Sequence, residues 1–175
     1  MTLAAGERLA RARALAAAVP DPEIPVVTLA DLGILRSVEE EDGRVVVVLT
    51  PTYTGCPATR VIADDVRRAL SDAGIADADV RLTLTPPWTT DWISADGRRK
   101  LREYGIAPPG GDAPAGSAVL RFVPRTRPAA AVESIDCPRC GSSDVERLSQ
   151  YGSTPCKALY RCVACREPFD YFKPY

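Results

Sequence analysis

The run ILRSVEEEDGRVVVVLT, residues 34–50, decides the fold of the first half of the chain. Apolar and polar residues alternate over residues 34–40, and valine dominates residues 44–50. Between these halves lies Asp42-Gly43, a pair that favours the tight two-residue turn of a hairpin. The run therefore predicts two antiparallel strands joined by that turn.

Helix and strand patterns flank the hairpin on both sides. Alanine-rich residues 6–19 predict a first helix, and the spacing of apolar residues over 57–73 predicts a second. Residues 80–85 alternate as a third strand, and residues 90–104 return to helical spacing, with Trp92 expected in the core. This order of elements predicts an α+β fold, in which helices pack on a small mixed sheet.

The composition divides the chain into three parts. Residues 106–134 are rich in proline, glycine and alanine, which is typical of a linker, and residues 118–123 within them are a candidate strand. On either side we expect the α+β domain, over residues 1–105, and a small cysteine-clamped β module like a zinc ribbon, over residues 135–175. A chain of 175 residues has room for one ordinary domain plus such an appendage.

The overall composition argues against several classes of protein. Hydrophobic residues make up 46% and charged residues 26%, which is the balance of a soluble globular protein. The net charge of −1 provides no broad basic surface, so nucleic acid is not an expected partner. With no long apolar run and no visible secretory signal, we expect a cytoplasmic protein that contacts no membrane. The absence of histidine excludes Ser–His and Cys–His catalysis.

Two C-x-x-C motifs predict a metal site in the C-terminal module. They are Cys137-Pro-Arg-Cys140 and Cys162-Val-Ala-Cys165, and together they supply four thiolates for one tetrahedral ion. Zinc is the default and iron the alternative, since both favour thiolates. A redox pair in each motif would need a βαβ setting that these segments lack. Cys156 is left over, and it is either a packed thiol or an additional ligand.

Cys56 is the candidate functional thiol of the N-terminal half. It lies between Gly55 and Pro57, where the hairpin gives way to the second helix, so we expect its sulfur at a helix N-terminus that favours the thiolate. The alternative is a small buried thiol. Asp21 and Glu23, in a proline-rich loop, are either a solvated turn or, if that loop meets Cys56, oxygen ligands for iron.

The order of these motifs resembles that of a known family. Asp21-Pro22-Glu23-Ile24-Pro25, Asp31-Leu32-Gly33-Ile34 and the segment from Thr52 through Gly55-Cys56-Pro57 resemble the small iron–sulfur-assembly domain of SufT-type maturation proteins, over roughly residues 9–104. Residues 86–93 and 152–162 are similar to one branch, the PaaD-type accessory proteins of the bacterial phenylacetyl-CoA epoxidase system.

This resemblance implies an accessory role rather than an enzyme. Such a protein would hold or deliver iron or an iron–sulfur cluster for the epoxidase that carries out ring 1,2-epoxidation in phenylacetate degradation, with the other epoxidase subunits as partners. The cysteine of the family corresponds to Cys56 and its acidic loop to Asp21 and Glu23. Homo-oligomerisation stays open.

Two rival functions come from other classes. The first is a thiol-dependent enzyme or redox protein that uses Cys56, which would need a base other than histidine. The second is a zinc-ribbon interaction module. The nearly balanced charge of residues 135–175 argues against nucleic acid as its ligand.

Overall fold

The computed structural model describes residues 5–110, here called the N-terminal part, and residues 135–174, here called the C-terminal ribbon. The candidate strand over residues 118–123 lies outside these ranges. Among the described residues, no helix is both long and apolar enough to cross a membrane.

The N-terminal part is built on a three-stranded mixed sheet. Its elements are α1 (Ala5–Ala18), β1 (Leu35–Glu41), β2 (Arg44–Leu49), α2 (Thr59–Asp72), β3 (Asp79–Leu82), a short 3-10 helix (Thr90–Trp92), α3 (Ala95–Tyr104) and β4 (Ile106–Ala107). The first sheet has the order β1-β2-β3, with β1 antiparallel and β3 parallel to β2. The predicted α+β class with a small mixed sheet is confirmed.

The hairpin turn has the backbone that its sequence predicts. Asp42 and Gly43 have φ of +50° and +78°, which is the left-handed pair of a tight hairpin turn. The valines of β2 form the centre of the core: Val45 and Val47 are fully buried, as is Val66 of α2. Helices α1 and α2 both contact the sheet, and α2 forms the crossover between the parallel strands β2 and β3.

The C-terminal ribbon is a three-stranded antiparallel meander. Its strands are β5 (Val145–Ser149), β6 (Lys157–Cys162) and β7 (Pro168–Phe172), and β4 joins them in a second sheet of order β4-β7-β6-β5. Ile106 and Ala107 of β4 run parallel to β7, so the ribbon shares a sheet with the end of the N-terminal part. The first two residues of the stretch with linker composition are therefore a strand.

Two helix boundaries differ from the sequence prediction. Helix α2 begins at Thr59, two residues after Pro57. The stretch predicted to be helical over 90–104 is interrupted, because Ile93 and Ser94 have extended backbone and Ser94 caps α3 by accepting a hydrogen bond from Gly97 N. A Cβ on Gly97 would lie 2.6 Å from the Asp31 carbonyl oxygen, so this helix packs against the Asp31 loop too closely for a side chain.

Of the two tryptophans, Trp88 is the more deeply buried. Its Nε1 donates to the Leu32 carbonyl over 2.8 Å. Trp92, which we expect in the core, is half-buried and packs against the edge of the core. The Arg36 guanidinium lies 3.4 Å from the centroid of its ring. The backbone of Gly33, which has φ of +67°, lies against Trp92. A Cβ at position 33 would lie only 2.5 Å from the Cβ of Trp92, so this contact requires glycine.

Candidate functional site

The structure divides six thiols between two places. The first is a group of four sulfur atoms at one end of the ribbon, here called the thiol cluster: Cys137, Cys140, Cys162 and Cys165. All four sulfurs lie within 4.8 Å of one another. No other group of three or more metal-ligating side chains converges in this way among the described residues.

The two turns of the thiol cluster are held by their own backbones. Cys137 N donates to the Ser142 carbonyl over 2.9 Å, and Cys162 N donates to the Glu167 carbonyl over 3.0 Å. Gly141 and Arg166 take positive φ of +75° and +65°, which lets the chain turn back within each motif. The spacing of the C-x-x-C motifs is therefore sufficient to aim each pair of thiols at one point.

The sulfur spacing fits a tetrahedral ion. Cys137 Sγ lies 3.8 Å from Cys165 Sγ, and Cys140 Sγ lies 3.6 Å from Cys162 Sγ. A zinc–sulfur bond of about 2.3 Å implies sulfur atoms about 3.8 Å apart. The thiol cluster thus matches a structural metal site in both ligand type and distance, and it is a metal-binding group.

The electrostatics of the thiol cluster also favour a cation. The backbone N–H of Cys165 donates to Cys162 Sγ over 3.5 Å and lowers the pKa of that thiol to about 7. The N–H of Glu167 works to lower the pKa of Cys165, but desolvation and the surrounding sulfurs raise it to about 12. Because thiolates this close repel one another, all four can ionise together only around a positive ion.

The second place is a small cavity between the N-terminal part and the ribbon, here called the Cys56 pocket. The N-terminal part contributes Asp21, Glu23 and Cys56 to its wall, and the ribbon contributes Cys156 and Phe172. The cavity measures about 20 Å³, which is room for one water molecule or one ion. The acidic loop and the turn that holds Cys56 therefore meet.

Asp21 is buried within a tight turn of its own loop. Its Oδ1 accepts hydrogen bonds from Glu23 N and Ile24 N, at 2.8 and 2.9 Å. Both donors use one oxygen, which leaves Oδ2 able to bind an ion. Burial raises the pKa of Asp21 against the effect of these two bonds. Glu23 is exposed and lies at the edge of the pocket.

Cys56 is half-buried in a turn that precedes α2. Its N donates to the Tyr53 carbonyl over 3.3 Å, and its carbonyl accepts from the Oγ1 of Thr59 over 2.8 Å. Because α2 begins at Thr59 with Ala58 as its N-cap residue, Cys56 lies outside the first turn of the helix. The expectation that Pro57 is the first helical residue is therefore wrong, and Cys56 precedes the first residue of α2 by three positions.

Cys156 lies in the Cys56 pocket, outside the thiol cluster. Its Sγ is 3.0 Å from Thr154 Oγ1, and its carbonyl accepts a hydrogen bond from Lys173 N over 3.0 Å. Burial raises the pKa of this thiol, and the charges of Cys56 and Asp21 contribute in the same direction. The only sequence signal for this placement is that Cys156 belongs to the 152–162 stretch of the resemblance.

Two further residues at this junction lie beyond what spacing could predict. Phe172, at the end of β7, is 1% exposed and packs against Trp88 with ring centroids 5.9 Å apart. Lys157, next to Cys156, is buried, and its Nζ lies 3.4 Å from Asp170 Oδ2. The contact of Phe172 depends on how the ribbon packs on the N-terminal part, whereas the ion pair of Lys157 joins two strands of the ribbon.

Two family models match the chain. One, described as an iron-sulfur cluster assembly protein, matches residues 11–82, and the other, described as the PaaD zinc beta ribbon domain, matches residues 123–173. A solved structure, a domain of unknown function DUF59 from Bacillus anthracis, is 28% identical with a TM-score of 0.50, and the match covers 55% of this chain and 92% of that one.

Two curated relatives match the chain over different lengths. The Fe-S protein maturation auxiliary factor YitW of Bacillus subtilis (strain 168) is 38% identical over 78 residues, which are 43% of this chain and 76% of that protein. A protein of Escherichia coli (strain K12) that is named as a subunit of 1,2-phenylacetyl-CoA epoxidase is 48% identical over 160 residues, 91% of this chain and 89% of that protein. By this nearly full-length match, together with the two domain models, the chain belongs to the PaaD family of phenylacetyl-CoA epoxidase subunits.

Proposed function

We propose that this chain is a cytoplasmic accessory factor of a phenylacetyl-CoA epoxidase system, and that it holds iron in the Cys56 pocket and delivers it to another subunit. The observation that carries the proposal is the meeting of Asp21, Glu23 and Cys56 around one cavity. The relatives named Fe-S protein maturation auxiliary factors, which match about 43% of this chain, support the same role.

The chemistry of the Cys56 pocket suits iron. A thiolate is a soft ligand and a carboxylate a hard one, and a site that mixes them accepts a metal of intermediate character such as Fe²⁺. A cavity of about 20 Å³ accommodates a single ion but not an enclosed cluster of several iron and sulfur atoms. We therefore propose a single iron ion as the cargo.

The looseness of the Cys56 pocket is consistent with transfer. Its ligand atoms do not form a compact group of the kind seen in the thiol cluster, so an ion there would be held more weakly and exchange more readily. A delivery site needs this lability, since an ion held by four preformed thiolates would not leave on a useful timescale.

We propose zinc as the resident ion of the thiol cluster. Its role would be to fold a unit of about forty residues, which is too small to be stabilised by its core alone. With the zinc module treated as a separate unit, the chain would comprise an assembly domain over residues 1–105, a linker over 106–134 and the module over 135–175.

The chemistry of epoxidation would belong to a different protein of the system. Oxygenase sites with two iron ions draw Glu-x-x-His pairs from a four-helix bundle, whereas this chain contains no histidine and its described part is built on two sheets. That contrast supports the proposed accessory role without catalysis.

The test is co-expression of the epoxidase subunits with either the native chain or Cys56→Ser. We expect the variant to fold normally but to leave the oxygenase subunit short of iron, with little ring epoxidation. Thr54→Ala serves as the matched control, because Thr54 lies two residues away and is exposed. Full iron content and full epoxidation with Cys56→Ser would disprove the proposal.

A further inference from the structure

We propose that Cys156 is a second sulfur ligand in the Cys56 pocket, so that an ion bound there is shared between the N-terminal part and the ribbon. This inference rests on the proposed function of the pocket and adds a ligand to it. The expected ion is a divalent metal that accepts both thiolate and carboxylate ligands.

The geometry supports this because both thiols line the same ion-sized cavity. Cys56 lines the cavity from the turn before α2, and Cys156, the residue that precedes β6, lines it from the ribbon. Asp21 lines the same wall. Two cysteines and an aspartate from three separate segments thus line a space that admits one ion.

The backbone around each thiol fixes its position. Cys156 lies in a turn closed by the hydrogen bond from Lys157 N to the Thr154 carbonyl, over 3.1 Å, and is tied to the C-terminal end by Lys173 N. The turn of Cys56 is closed by its own N–H and by Thr59. Both thiols therefore stand on hydrogen-bonded turns at the wall of one cavity.

A divalent ion would offset most of the negative charge of the proposed ligands. On binding, each thiol would release one proton, leaving two thiolates and one carboxylate around a divalent cation. That complex carries one net negative charge, and the adjacent Lys157, which is 4% exposed and also lies 3.4 Å from Asp170 Oδ2, adds a positive charge nearby.

Cobalt(II) is the probe for this proposal, because its thiolate complexes have a charge-transfer absorbance that grows with the number of sulfur ligands. Full-length protein with zinc already bound in the thiol cluster is titrated with Co²⁺ without oxygen. The native protein should bind one further ion with the absorbance of two thiolates. Cys156→Ser should show about half that absorbance and at least about tenfold weaker binding. Cys56→Ser should show a similar loss.

Ser153→Ala is the matched control, since Ser153 lies in the same turn and bonds to Asp170 outside the pocket. It should bind cobalt like the native protein. Unchanged absorbance and affinity in Cys156→Ser, together with a loss in Cys56→Ser, would overturn this inference and leave the proposed function standing. No loss in either variant would overturn both.

A second measurement uses the native sequence and so does not depend on the folding of a variant. Thiols are alkylated at increasing Co²⁺ concentration, and the modified peptides are identified by mass spectrometry. We expect protection of Cys56 and Cys156 with the same concentration dependence. Protection of Cys56 while Cys156 stays as reactive as without metal would contradict a shared ion.

Discussion

The thiol cluster and the Cys56 pocket both contain cysteine, but they are assembled differently. The thiol cluster comes from two short motifs whose own turns aim the thiols, and its sulfurs already stand at the spacing of a tetrahedral ion. In the Cys56 pocket the proposed ligands Asp21, Cys56 and Cys156 come from three segments far apart in the chain, and they line a cavity without forming a compact group. The first arrangement suits permanent binding and the second suits exchange.

The difference also concerns what each region contributes to stability. The ribbon has only a small core, which includes Tyr160, Phe169 and Tyr171, so a metal ion in the thiol cluster would supply much of the free energy that keeps the ribbon folded. In the Cys56 pocket the surrounding core is already formed, and the buried carboxylate of Asp21 is a cost that this core carries. Removing a ligand should therefore have opposite consequences in the two regions.

The largest expected effect is the loss of the ribbon in Cys162→Ser. Cys162 is fully buried and its sulfur lies 3.6 Å from Cys140 Sγ, so the variant should lose the resident metal and unfold the ribbon. Structural zinc contributes on the order of 10 kcal/mol to such modules. Metal content and limited proteolysis of residues 135–175 measure both losses.

Cys56→Ser is the counterpart that sharpens this first prediction. It should keep the resident metal and a protease-resistant ribbon, because Cys56 lies outside the thiol cluster. A Cys162→Ser protein that retains its metal and resists protease would break the distinction between the two regions.

The same difference explains how far sequence could predict this molecule. Local rules were enough for the hairpin, where Asp42-Gly43 adopts the expected turn. They were also enough for the two C-x-x-C turns of the thiol cluster, where the spacing of the cysteines predicts which thiols come together. They were not enough for Cys156, because its neighbours are set by the way β4 and Phe172 dock the ribbon onto the N-terminal part. Helix α2 starts later than predicted because nothing local distinguishes Pro57 in a turn from proline in a first helical turn.

The second prediction concerns the packing contact between the ribbon and the N-terminal part. Phe172→Ala should lower the free energy of unfolding by about 3–5 kcal/mol, because Phe172 is 1% exposed and packs on Trp88. We expect this variant to keep the resident metal yet lose cobalt binding in the Cys56 pocket. Tryptophan fluorescence during urea unfolding and metal analysis measure the two effects.

Phe169→Ala is the control for Phe172→Ala. Phe169 is equally part of β7 but packs on Tyr160 inside the ribbon, with ring centroids 6.0 Å apart. It should weaken retention of the resident metal. If Phe172→Ala were the variant that lost this metal, the junction could not be treated as separate from the thiol cluster.

A third prediction concerns the hydrogen bonds of Asp31, which stabilise the N-terminal part without any metal. Asp31 Oδ2 accepts from Lys100 Nζ over 2.7 Å and from Thr28 N over 2.9 Å. Burial acts to raise the pKa of Asp31, but these bonds outweigh it and the pKa is lowered. Such a carboxylate adds stability that is present above its ordinary pKa of 3.8 and is lost as the pH falls through the lowered value.

Asp31→Asn should therefore lower the free energy of unfolding by about 2 kcal/mol at neutral pH. The stability of the variant should also fall less than that of the native protein as the pH is lowered. Urea unfolding at neutral and acidic pH measures this, while a chelator should leave the N-terminal part folded. Asp96→Asn is the control, because the Asp96 side chain is 53% exposed and its ion pairs with Arg99 and Lys100 should add little. Equal losses in both variants would contradict a special role for Asp31.

The smallest effect has the opposite sign. Asp21→Asn should raise the free energy of unfolding at neutral pH by about 1 kcal/mol, because the amide oxygen can still accept from Glu23 N and Ile24 N without burying a charge. Burial raises the pKa of Asp21, so the native carboxylate costs stability above that pKa, and the advantage of the variant should shrink as the pH falls through it. Urea unfolding across this pH range measures the change.

The same variant should also bind Co²⁺ more weakly in the Cys56 pocket, because it loses a charged oxygen ligand. Glu23→Gln, at an exposed position, is the control for stability alone, and it should change the free energy of unfolding by less than about 0.5 kcal/mol. A residue whose removal stabilises the fold while weakening binding is there for its ligand, whereas a loss of stability in Asp21→Asn would make Asp21 a structural residue like those of the thiol cluster.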